Sequence, residues 1–319
     1  MRYRVLVTDH GFENVERERG ILLGADAETV VASCRTEEDV IEAARGSDAL
    51  LVQWAPITAQ VIETLDQCKV IVRYGIGVDN VDLAAAAGRG IPVCNVPDYC
   101  IDEVADHTIA LTLALARQLP QVDSRVRAGV WRIVPDNRMP ALRDLTFGTL
   151  GFGRVARAVL DRARPFGFRL VAADPYVPAP QSTATPVDLV TIDDLVKSCD
   201  IVSLHAPLTS ATRLIFNDDR IATMKQGAIL VNTGRGGLVD LGALARCLSS
   251  GHLGGAGLDV YEEEPLPLDH PIRQSPNTIL TSHIAWFSES SVPRLQQMAA
   301  EEVARALRGQ PLSNPVNRG

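Results

Sequence analysis

The stretch FGTLGFGRVA at residues 147–156 decides the fold of this 319-residue chain. An apolar run leads into it and a segment with helical spacing follows it, so we predict a strand, a tight turn and a helix. Gly151, Gly153 and Ala156 fit the pattern G-x-G-x-x-G/A. There, the first glycine permits the turn, the second lets the backbone approach a pyrophosphate, and the third residue lets helix and strand pack closely. The stretch predicts a dinucleotide site at a helix start, with the contact residues Gly151, Phe152, Gly153, Arg154 and Val155.

An acidic residue at the end of the next predicted strand supports this site. Asp174 ends the run LVAAD at residues 170–174 and lies 21 residues after Gly153 (174 − 153). A carboxylate there accepts hydrogen bonds from the adenine-ribose hydroxyls and repels a 2′-phosphate, which favours NAD over NADP. The alternative is an ordinary strand–glycine–helix turn with a solvated Asp174. We prefer the cofactor site because strand, loop, helix and acid occur in the required order.

The length of 319 residues predicts about two domains, and the composition is typical of a globular protein. Hydrophobic residues make up 46% of the chain and charged residues 22%, which excludes a disordered or collagen-like chain. The net charge is −8, so we expect no broad basic face and no nucleic-acid partner. The start of the chain has no signal-peptide pattern, and no apolar run reaches the roughly 18 residues of a membrane span. We therefore expect a cytoplasmic protein with no membrane partner.

The six cysteines predict neither a disulfide framework nor a metal site. They form no CxxC pair and no Cys/His cluster with zinc spacing. We expect buried free thiols in a reducing cytosol, and no bound metal. These cysteines are Cys34, Cys68, Cys94, Cys100, Cys199 and Cys247.

Short apolar runs alternate with segments of helical spacing, which predicts parallel sheets covered by helices. In the first hundred residues the predicted strands are 5–7, 30–31, 49–52 and 70–72, and the predicted helices are 12–23, 37–44 and 59–65. A long helix is predicted over 102–119, ended by Pro120, and an extended arm over 129–140. In the second series the predicted strands are 146–150, 170–173, 201–204, 228–231 and 256–258, and the predicted helices are 154–166, 192–198, 218–224, 241–248 and 290–307. Two separate series predict an α/β protein with two doubly wound parallel-sheet domains rather than one sheet of about ten strands.

Three segments of the second half each follow a predicted strand and carry residues suited to acid–base chemistry. Arg235 lies in VNTGRGG, three glutamates at 262–264 lie in LDVYEEEP, and His283 lies in TSHIAW. Ligands of doubly wound sheets bind at the carboxyl ends of the strands, so these side chains are expected to converge. Arg235 would grip a carboxylate and polarise the adjacent carbonyl, and His283 would exchange a proton while a carboxylate orients its ring. Each has a plain alternative: a surface arginine, a solvated acidic turn and a core histidine.

Taken together, the motifs resemble those of the D-isomer-specific 2-hydroxyacid dehydrogenases over nearly the whole chain. RYGIGVDN at 73–80 resembles the family's substrate loop, and NVP at 95–97 with Glu103 and HT at 107–108 resembles its hinge and first long helix. The resemblance implies that Arg235 is the catalytic arginine, that Glu264 and His283 form the acid–base pair, and that Asp259 contacts the nicotinamide amide. It also implies a substrate set and a further cofactor set. The substrate set is Tyr74, Gly75, Ile76, Gly77, Trp54 and Trp286, and the cofactor set is Thr108, His205, Pro207, Thr233 and Asp259.

The run HIAWFSES at 283–290 departs from the usual family pattern, which has glycine soon after the histidine. This run and GRGGLVD at 234–240 resemble the C-terminal-binding-protein branch, whose animal members are NAD-dependent corepressors that retain the dehydrogenase site. The resemblance leaves two roles open for Trp286: it shapes a pocket for an apolar or extended substrate, or it is simply buried between the domains. It also leaves two functions open, an enzyme and an NAD(H)-sensing regulator with little turnover.

The family architecture implies that one domain interrupts the other. Residues 1–98 with 288–319 would form a flavodoxin-like substrate domain, and residues 99–287 a Rossmann NAD-binding domain. Hinges near 97–101 and 285–290 would let the cleft close and exclude water. The arm at 129–145 resembles the family's dimer contact, so a homodimer is expected. The implied reaction interconverts a 2-oxo acid and a (D)-2-hydroxy acid, and the absence of an Arg or Lys cluster around Trp54 argues against a phosphorylated substrate.

Overall fold

A computed structural model of the chain describes residues 1–134, 139–177 and 187–317. The chain divides into two compact units. Unit 1 consists of Met1–Cys100 and Phe287–Gly319, and unit 2 of Ile101–Trp286. The predicted domain limits, 98/99 and 287/288, stay a prediction about folding units that limited proteolysis would test.

The helices and strands alternate along most of the chain. In chain order the strands are β1 (Tyr3–Val7), β2 (Ala27–Val31), β3 (Ala49–Val52), β4 (Val70–Arg73), β5 (Val93–Cys94), β6 (Thr146–Leu150), β7 (Arg169–Ala173), β8 (Asp188–Leu189), β9 (Ile201–Leu204), β10 (Ile229–Asn232), β11 (Gly255–Leu258) and β12 (Thr278–Leu280). The α-helices are α1 (Glu16–Leu23), α2 (Glu37–Ala44), α3 (Ala59–Glu63), α4 (Leu83–Gly88), α5 (Ile101–Ala116), α6 (Leu119–Arg127), α7 (Arg154–Ala163), α8 (Ile192–Ser198), α9 (Asp218–Ala222), α10 (Leu241–Ser249) and α11 (Ser291–Leu307).

Unit 1 contains a parallel sheet in the order β2-β1-β3-β4-β5. This is the flavodoxin-like order, in which the carboxyl ends of β1, β3 and β4 lie side by side. The central strands are buried on both faces: Leu50 and Leu51, neighbours on β3, are both fully buried. Such continuous apolar runs are what a parallel sheet covered by helices requires.

Unit 2 contains a parallel sheet in the order β12-β11-β10-β9-β6-β7-β8. The order reverses between β6 and β9, and this switch point is where doubly wound sheets bind their ligands. Strand β6 pairs with β7 through Leu150 and Ala173 and with β9 through Leu150 and Leu204. The ends of these three strands therefore lie at one edge of the sheet. The predicted fold class, two doubly wound parallel sheets with a Rossmann cofactor domain, is confirmed.

The helix predicted over 102–119 was wrong at its end. Helix α5 stops at Ala116, and α6 starts at Leu119 with Pro120 in its first turn. Proline lacks only an N–H that has no partner in a first turn, so Pro120 begins a helix here instead of ending one. The break falls at Gln118, whose φ of +52° is left-handed.

The first predicted helix begins four residues later than expected, at Glu16 instead of residue 12. The Phe12 ring stacks on His10, with ring centroids 5.8 Å apart, and meets Tyr74 edge-on at 5.1 Å. The chain bends at Phe12 and Glu13, where this aromatic packing occurs, and the helix begins only after the bend. The two-residue strands β5 and β8 and the alanine-rich α4 were missed because they are too short or too uniform for a periodic pattern.

The six cysteines form no disulfide bond with one another. Cys34, Cys94, Cys100 and Cys199 are buried, whereas Cys68 and Cys247 are only half-buried. Burial raises the pKa of Cys68 to about 12 and that of Cys199 to about 11, so these two are poor nucleophiles. Among the described helices, none is long and apolar enough to cross a bilayer.

Candidate active site

The glycine loop between β6 and α7 has the geometry that the sequence predicts. Gly151 has a φ of +97°, and a Cβ there would lie 3.0 Å from the backbone C and O of His205. Position 151 therefore requires glycine for two reasons: its backbone conformation is left-handed, and a Cβ would be too close to His205. A Cβ at Gly153 would meet nothing within 4 Å, so the space in front of the helix start is open. The loop leaves room for a bound phosphate group where the first amides of α7 point outward.

Asp174 closes the side of this loop. Its carboxylate accepts hydrogen bonds from the backbone N–H of Phe152 at 2.9 Å and of Tyr176 at 3.0 Å. The Arg157 guanidinium lies 4.1 Å from the Phe152 ring and donates to the Phe152 carbonyl. Asp174 is half-buried, so its carboxylate stays within reach of solvent. The acid predicted from spacing alone thus lies beside the glycine loop.

His205 follows β9 on the other side of Gly151. Its Nε2 lies 2.8 Å from the buried Ser203 hydroxyl. Burial lowers the pKa of His205 to about 4, so the imidazole is neutral at physiological pH. Two residues on, Pro207 is exposed.

Thr108 and Thr233 meet through their hydroxyl groups, which are 2.8 Å apart. Thr108 is fully buried and donates its own proton to the Val104 carbonyl at 2.7 Å. Thr233 is therefore the donor in the hydrogen bond between the two hydroxyls. This bond to the buried Thr108 holds the Thr233 side chain in place.

His283 and Glu264 form a hydrogen-bonded pair. Nδ1 of His283 lies 2.7 Å from Oε2 of Glu264, and each side chain is 36% exposed. The ring's other nitrogen, Nε2, has no hydrogen-bond partner among the described residues. A carboxylate at one ring nitrogen fixes the orientation of the imidazole and leaves the second nitrogen for proton exchange.

Glu264 is held in its ionised form. Burial alone would raise its pKa, but the hydrogen bond and charge of His283, the Tyr261 N–H and the charge of Arg235 together lower it. The Tyr261 N–H donates to Oε1 at 2.9 Å, so both carboxylate oxygens are engaged. The geometry sets Glu264 as a fixed acceptor for the imidazole.

We expect Glu264→Gln to lower the free energy of unfolding slightly, by an amount that depends on pH. Because the folded pKa of Glu264 is lowered, the stabilisation is present above the ordinary pKa of 4.5 and disappears as pH falls through the folded value. Both groups are partly exposed, so the free energy of unfolding should change by about 1 kcal/mol or less. Urea unfolding at several pH values checks this, and a wild-type advantage that grows toward low pH would be inconsistent with it.

The loop that carries His283 is anchored by Asp259. The Asp259 carboxylate is fully buried and accepts the N–H groups of Ile284 at 3.0 Å and Ala285 at 2.9 Å and the hydroxyl of Thr281. His283 has a left-handed φ of +56°, and its own N–H donates to the Asp259 carbonyl. The Asp259 carboxylate thus holds the loop that carries His283, and its predicted contact with a nicotinamide amide stays a prediction.

Trp286 also supports this loop. Its indole N–H donates to the His283 carbonyl at 2.8 Å, and the side chain is half-buried. His107 lies 3.1 Å from the Thr281 hydroxyl through Nε2. The two roles that the sequence left open for Trp286, a pocket-shaping residue and a residue buried between the domains, both stay predictions.

Arg235 lies in the turn after β10. Asn232 fixes the turn by donating to the Arg235 carbonyl and accepting from the Gly234 N–H. A Cβ at Gly236 would lie 1.9 Å from the backbone carbon of Tyr261, so the turn packs directly against the segment leading to Glu264. The arginine is half-buried, and its charge reaches Glu264. Within unit 2, Arg235, Glu264 and His283 are thus brought together as predicted.

In unit 1 the loop after β4 has the features of an anion-binding turn. The backbone N–H groups of Gly75, Ile76 and Gly77 donate to none of the described residues. The carbonyls are fixed instead: the Gly75 carbonyl accepts from Val96 N–H, and the Ile76 carbonyl accepts from the Asn95 amide at 2.6 Å. Successive unpaired N–H groups form a concavity suited to a carboxylate or phosphate.

The tyrosine that starts this loop has a buried side chain. The Tyr74 side chain is 1% exposed and its hydroxyl donates to Glu18, so the phenol lies in the interior of unit 1, and a contact of Tyr74 with a substrate stays a prediction. Trp54, at the end of β3, is 56% exposed. Its loop is held by Asp9, which accepts the N–H groups of Gln53, Trp54 and Ala55.

Sequence reasoning missed Asp9, Glu18 and Thr281. Asp9 had a usable signal, because it follows the apolar strand β1 at nearly the same offset as Asp174 follows β7. Glu18 and Thr281 act through buried contacts between distant segments, which leave no local pattern.

Comparison with known proteins agrees with this geometry. Residues 109–285 match the family described as D-isomer specific 2-hydroxyacid dehydrogenase, NAD binding domain. A D-3-phosphoglycerate dehydrogenase of Methanocaldococcus jannaschii is 38% identical over 98% of this chain. A glyoxylate reductase of Korarchaeum cryptofilum is 34% identical over the whole chain and 97% of its own length. A solved D-lactate dehydrogenase from Aquifex aeolicus, described as complexed with NAD and lactic acid, is 27% identical with a TM-score of 0.90 over 99% of both chains.

The coverage of these relatives differs. The chain spans 59% of the length of the phosphoglycerate dehydrogenase and nearly all of the glyoxylate reductase. The three relatives bear enzyme names, and none bears the corepressor name. The resemblance to the C-terminal-binding-protein branch therefore stays a prediction.

Proposed function

The chain belongs to the D-isomer specific 2-hydroxyacid dehydrogenase family, and from this premise we propose that it is an NAD-dependent oxidoreductase. Its reaction interconverts a 2-oxo acid and a (D)-2-hydroxy acid. The observation that carries the proposal is the 2.7 Å contact of His283 Nδ1 with Glu264, which leaves Nε2 for the proton. In the reducing direction Nε2 donates this proton to the carbonyl oxygen, and in the oxidising direction it accepts the hydroxyl proton.

The glycine loop of unit 2 fits an NAD cofactor. Gly151 and Gly153 admit the diphosphate, Asp174 accepts the ribose hydroxyls, and Thr233 supports the loop near Arg235. When bound, the cofactor supplies or accepts the hydride. The chain's residues hold the cofactor, orient the substrate and move the proton.

Two groups are suited to a substrate carboxylate. Arg235 offers a planar guanidinium for a bidentate grip and would also polarise the carbonyl. The backbone N–H groups of Gly75–Gly77 offer uncharged donors. The hydrogen bonds to the Gly75 and Ile76 carbonyls hold this loop in place. Both favour a planar 2-oxo acid anion over a neutral ketone.

The segment after β3 favours an unphosphorylated substrate. Gln53 is buried and its side-chain oxygen accepts the Gly11 N–H, and Trp54 presents an apolar indole. Neither offers a positive charge, which is the side-chain group that binds a phosphate most strongly. The segment therefore favours a substrate whose side chain carries no phosphate. Because one relative is a D-3-phosphoglycerate dehydrogenase, 3-phosphoglycerate is the substrate to test against this expectation.

The regulatory alternative, an NAD(H)-sensing corepressor-like protein, has less support. Trp286 motivates it, but its indole N–H anchors the His283 loop, a role that turnover also needs. A pull-down that yields a partner responding to NADH would favour this alternative.

A panel assay tests the proposed reaction. Purified protein is mixed with NADH and glyoxylate, pyruvate or phenylpyruvate, and separately with NAD and 3-phosphoglycerate. We expect NADH consumption with at least one unphosphorylated 2-oxo acid and little reaction with 3-phosphoglycerate. No consumption on any 2-oxo acid, with NADH binding confirmed, would count against turnover.

We expect Asp174→Asn to relax the coenzyme preference. The wild-type carboxylate repels a 2′-phosphate, so NADH should be preferred over NADPH by at least about tenfold. Asparagine removes this charge, and its single amide oxygen can accept from one of the Phe152 and Tyr176 N–H groups but not from both in the present geometry. Ratios of kcat/KM for the two coenzymes check the prediction, and an unchanged ratio in the variant would contradict it.

We also propose a homodimer, held by exposed apolar residues on α6 and the segment after it. A run of this size on a monomer marks an interaction surface. The predicted arm lies partly outside the described residues, at 135–138. The exposed residues are Leu119, Val122, Val126, Val130, Trp131, Ile133 and Val134.

Light scattering should give twice the chain mass of 34.4 kDa. Val126→Asp should shift the protein toward monomer, because it places a charge in the apolar surface. Leu268→Asp is the matched control, since Leu268 is 90% exposed and lies elsewhere in the chain. A monomeric wild type would exclude the dimer.

A further inference from the structure

A buried polar network lies behind the substrate loop of unit 1. The carboxyl group of Glu18, on α1, is fully buried. It accepts the Tyr74 hydroxyl at 2.8 Å through Oε1 and the Gln296 amide at 3.1 Å through Oε2. Gln296, on α11, also donates to the Asn14 carbonyl at 2.8 Å. The network therefore joins two helices to the first residue of the loop.

The network has no cation to balance it. Neither an arginine nor a lysine contacts Glu18 among the described residues. A buried carboxyl group with two neutral donors is seldom a net gain in stability over apolar residues of the same size. Stability is therefore a poor reason for a glutamate at this core position, and orientation of its partners is a better one.

Tyr74 is the partner with a functional neighbour. Its N–H donates to the Val52 carbonyl and its ring is packed edge-on by Phe12, so backbone, ring and hydroxyl are each fixed. The next residue, Gly75, has a φ of +133°, and a Cβ there would lie 1.8 Å from an Arg73 nitrogen. A small rotation at Tyr74 would turn the amides that follow it.

We propose that Tyr74 is a positioning residue whose phenol, held by Glu18 and Gln296, fixes the Gly75–Gly77 amides in the array that binds the substrate carboxylate. The inference rests on the proposed function for its substrate. In this proposal, the buried Tyr74, with Glu18 and Gln296, controls the affinity for the 2-oxo acid. Asn95 and Val96 fix the carbonyls of Ile76 and Gly75. The buried network fixes Tyr74, the first residue of the loop.

Tyr74→Phe tests the proposal, because it keeps the ring and removes only the hydroxyl. Tyr3→Phe is the matched control: Tyr3 lies in the same unit at the start of β1, and its hydroxyl bonds none of the described residues. The double variant Glu18→Met/Tyr74→Phe removes the carboxyl group and the hydroxyl together, and the Gln296 amide keeps its bond to the Asn14 carbonyl. It should therefore regain the stability lost by Tyr74→Phe without restoring the hydroxyl contact.

Hydrogen–deuterium exchange of the Tyr74 N–H, read from the peptide that covers residues 73–80, is the first measurement, because this N–H is protected by its bond to the Val52 carbonyl whereas those of Gly75–Gly77 have no partner among the described residues. We expect exchange about tenfold faster in Tyr74→Phe and in the double variant, and unchanged in Tyr3→Phe. Equal exchange in wild type and Tyr74→Phe would overturn the proposal. Exchange restored in the double variant would also overturn it, because the hydroxyl would then matter only for packing.

Kinetics on the full-length protein are the second measurement. KM for the preferred 2-oxo acid should rise about tenfold in Tyr74→Phe and in the double variant, with kcat and the Kd for NADH nearly unchanged. A fall in kcat at constant KM would contradict a positioning role in binding. If the wild type reduces no 2-oxo acid, the proposed function fails, whereas the exchange result still decides whether the network holds the loop.

Discussion

Replacing His283 by glutamine is expected to lower kcat by roughly 10²–10⁴-fold, the usual contribution of a general acid–base. Glutamine fills similar space and can still meet Glu264, but it has no nitrogen that can gain and lose a proton. Its amide cannot replace Nε2, which the Glu264 contact leaves available. Steady-state kinetics with NADH and the preferred 2-oxo acid give the measurement.

Two comparisons separate the loss of a proton carrier from damage to the fold. The Kd for NADH should be unchanged in His283→Gln, because the cofactor is assigned to the glycine loop. The matched control is His270→Gln: among the described residues this imidazole has one hydrogen bond, which it accepts from the Ile272 N–H. Near-normal turnover in His283→Gln would remove His283 from its role.

Replacing Arg235 by lysine is expected to lower kcat/KM by about 10²-fold. Lysine keeps the charge but loses the planar fork that grips a carboxylate bidentately, and a charge-assisted hydrogen bond is worth about 1.5–3 kcal/mol. The turn should remain intact, because Asn232 fixes it through the backbone of residues 234 and 235. The loss should appear in both KM and kcat, since the arginine is assigned to the carboxylate and the carbonyl.

Arg213→Lys is the control for this substitution. Arg213 forms an exposed ion pair with Glu262 at 2.8 Å, and such pairs contribute little. Its kinetics should match the wild type. If Arg235→Lys were as active as Arg213→Lys, Arg235 would not bind the substrate.

The residues that could be predicted from sequence share one property: their signals are local. The glycine loop and Asp174 lie within one strand–turn–helix–strand unit, where spacing reports geometry directly. Apolar runs located the central strands, and β3 and β9 have the limits expected from their sequences. Turns after parallel strands brought Arg235 and His283 to one edge because the fold places strand ends there.

The residues that could not be predicted depend on contacts between distant parts of the chain. The Glu18–Gln296 bond joins residues 278 positions apart, and no spacing rule anticipates it. Pro120 was misread because a proline that ends one helix and a proline that begins another look alike in sequence. Asp259 was recognised, but only the structure showed that its carboxylate is occupied by the loop of His283.

One isotope experiment tests the central claim most directly. The protein is incubated with NADH deuterated at nicotinamide C4 and with its preferred 2-oxo acid, and the product is analysed by chiral chromatography and mass spectrometry. We predict a (D)-2-hydroxy acid that carries deuterium at C2 when the transferred face of NADH is labelled. An L-product, or no label at C2 from either face, would contradict the proposed reaction.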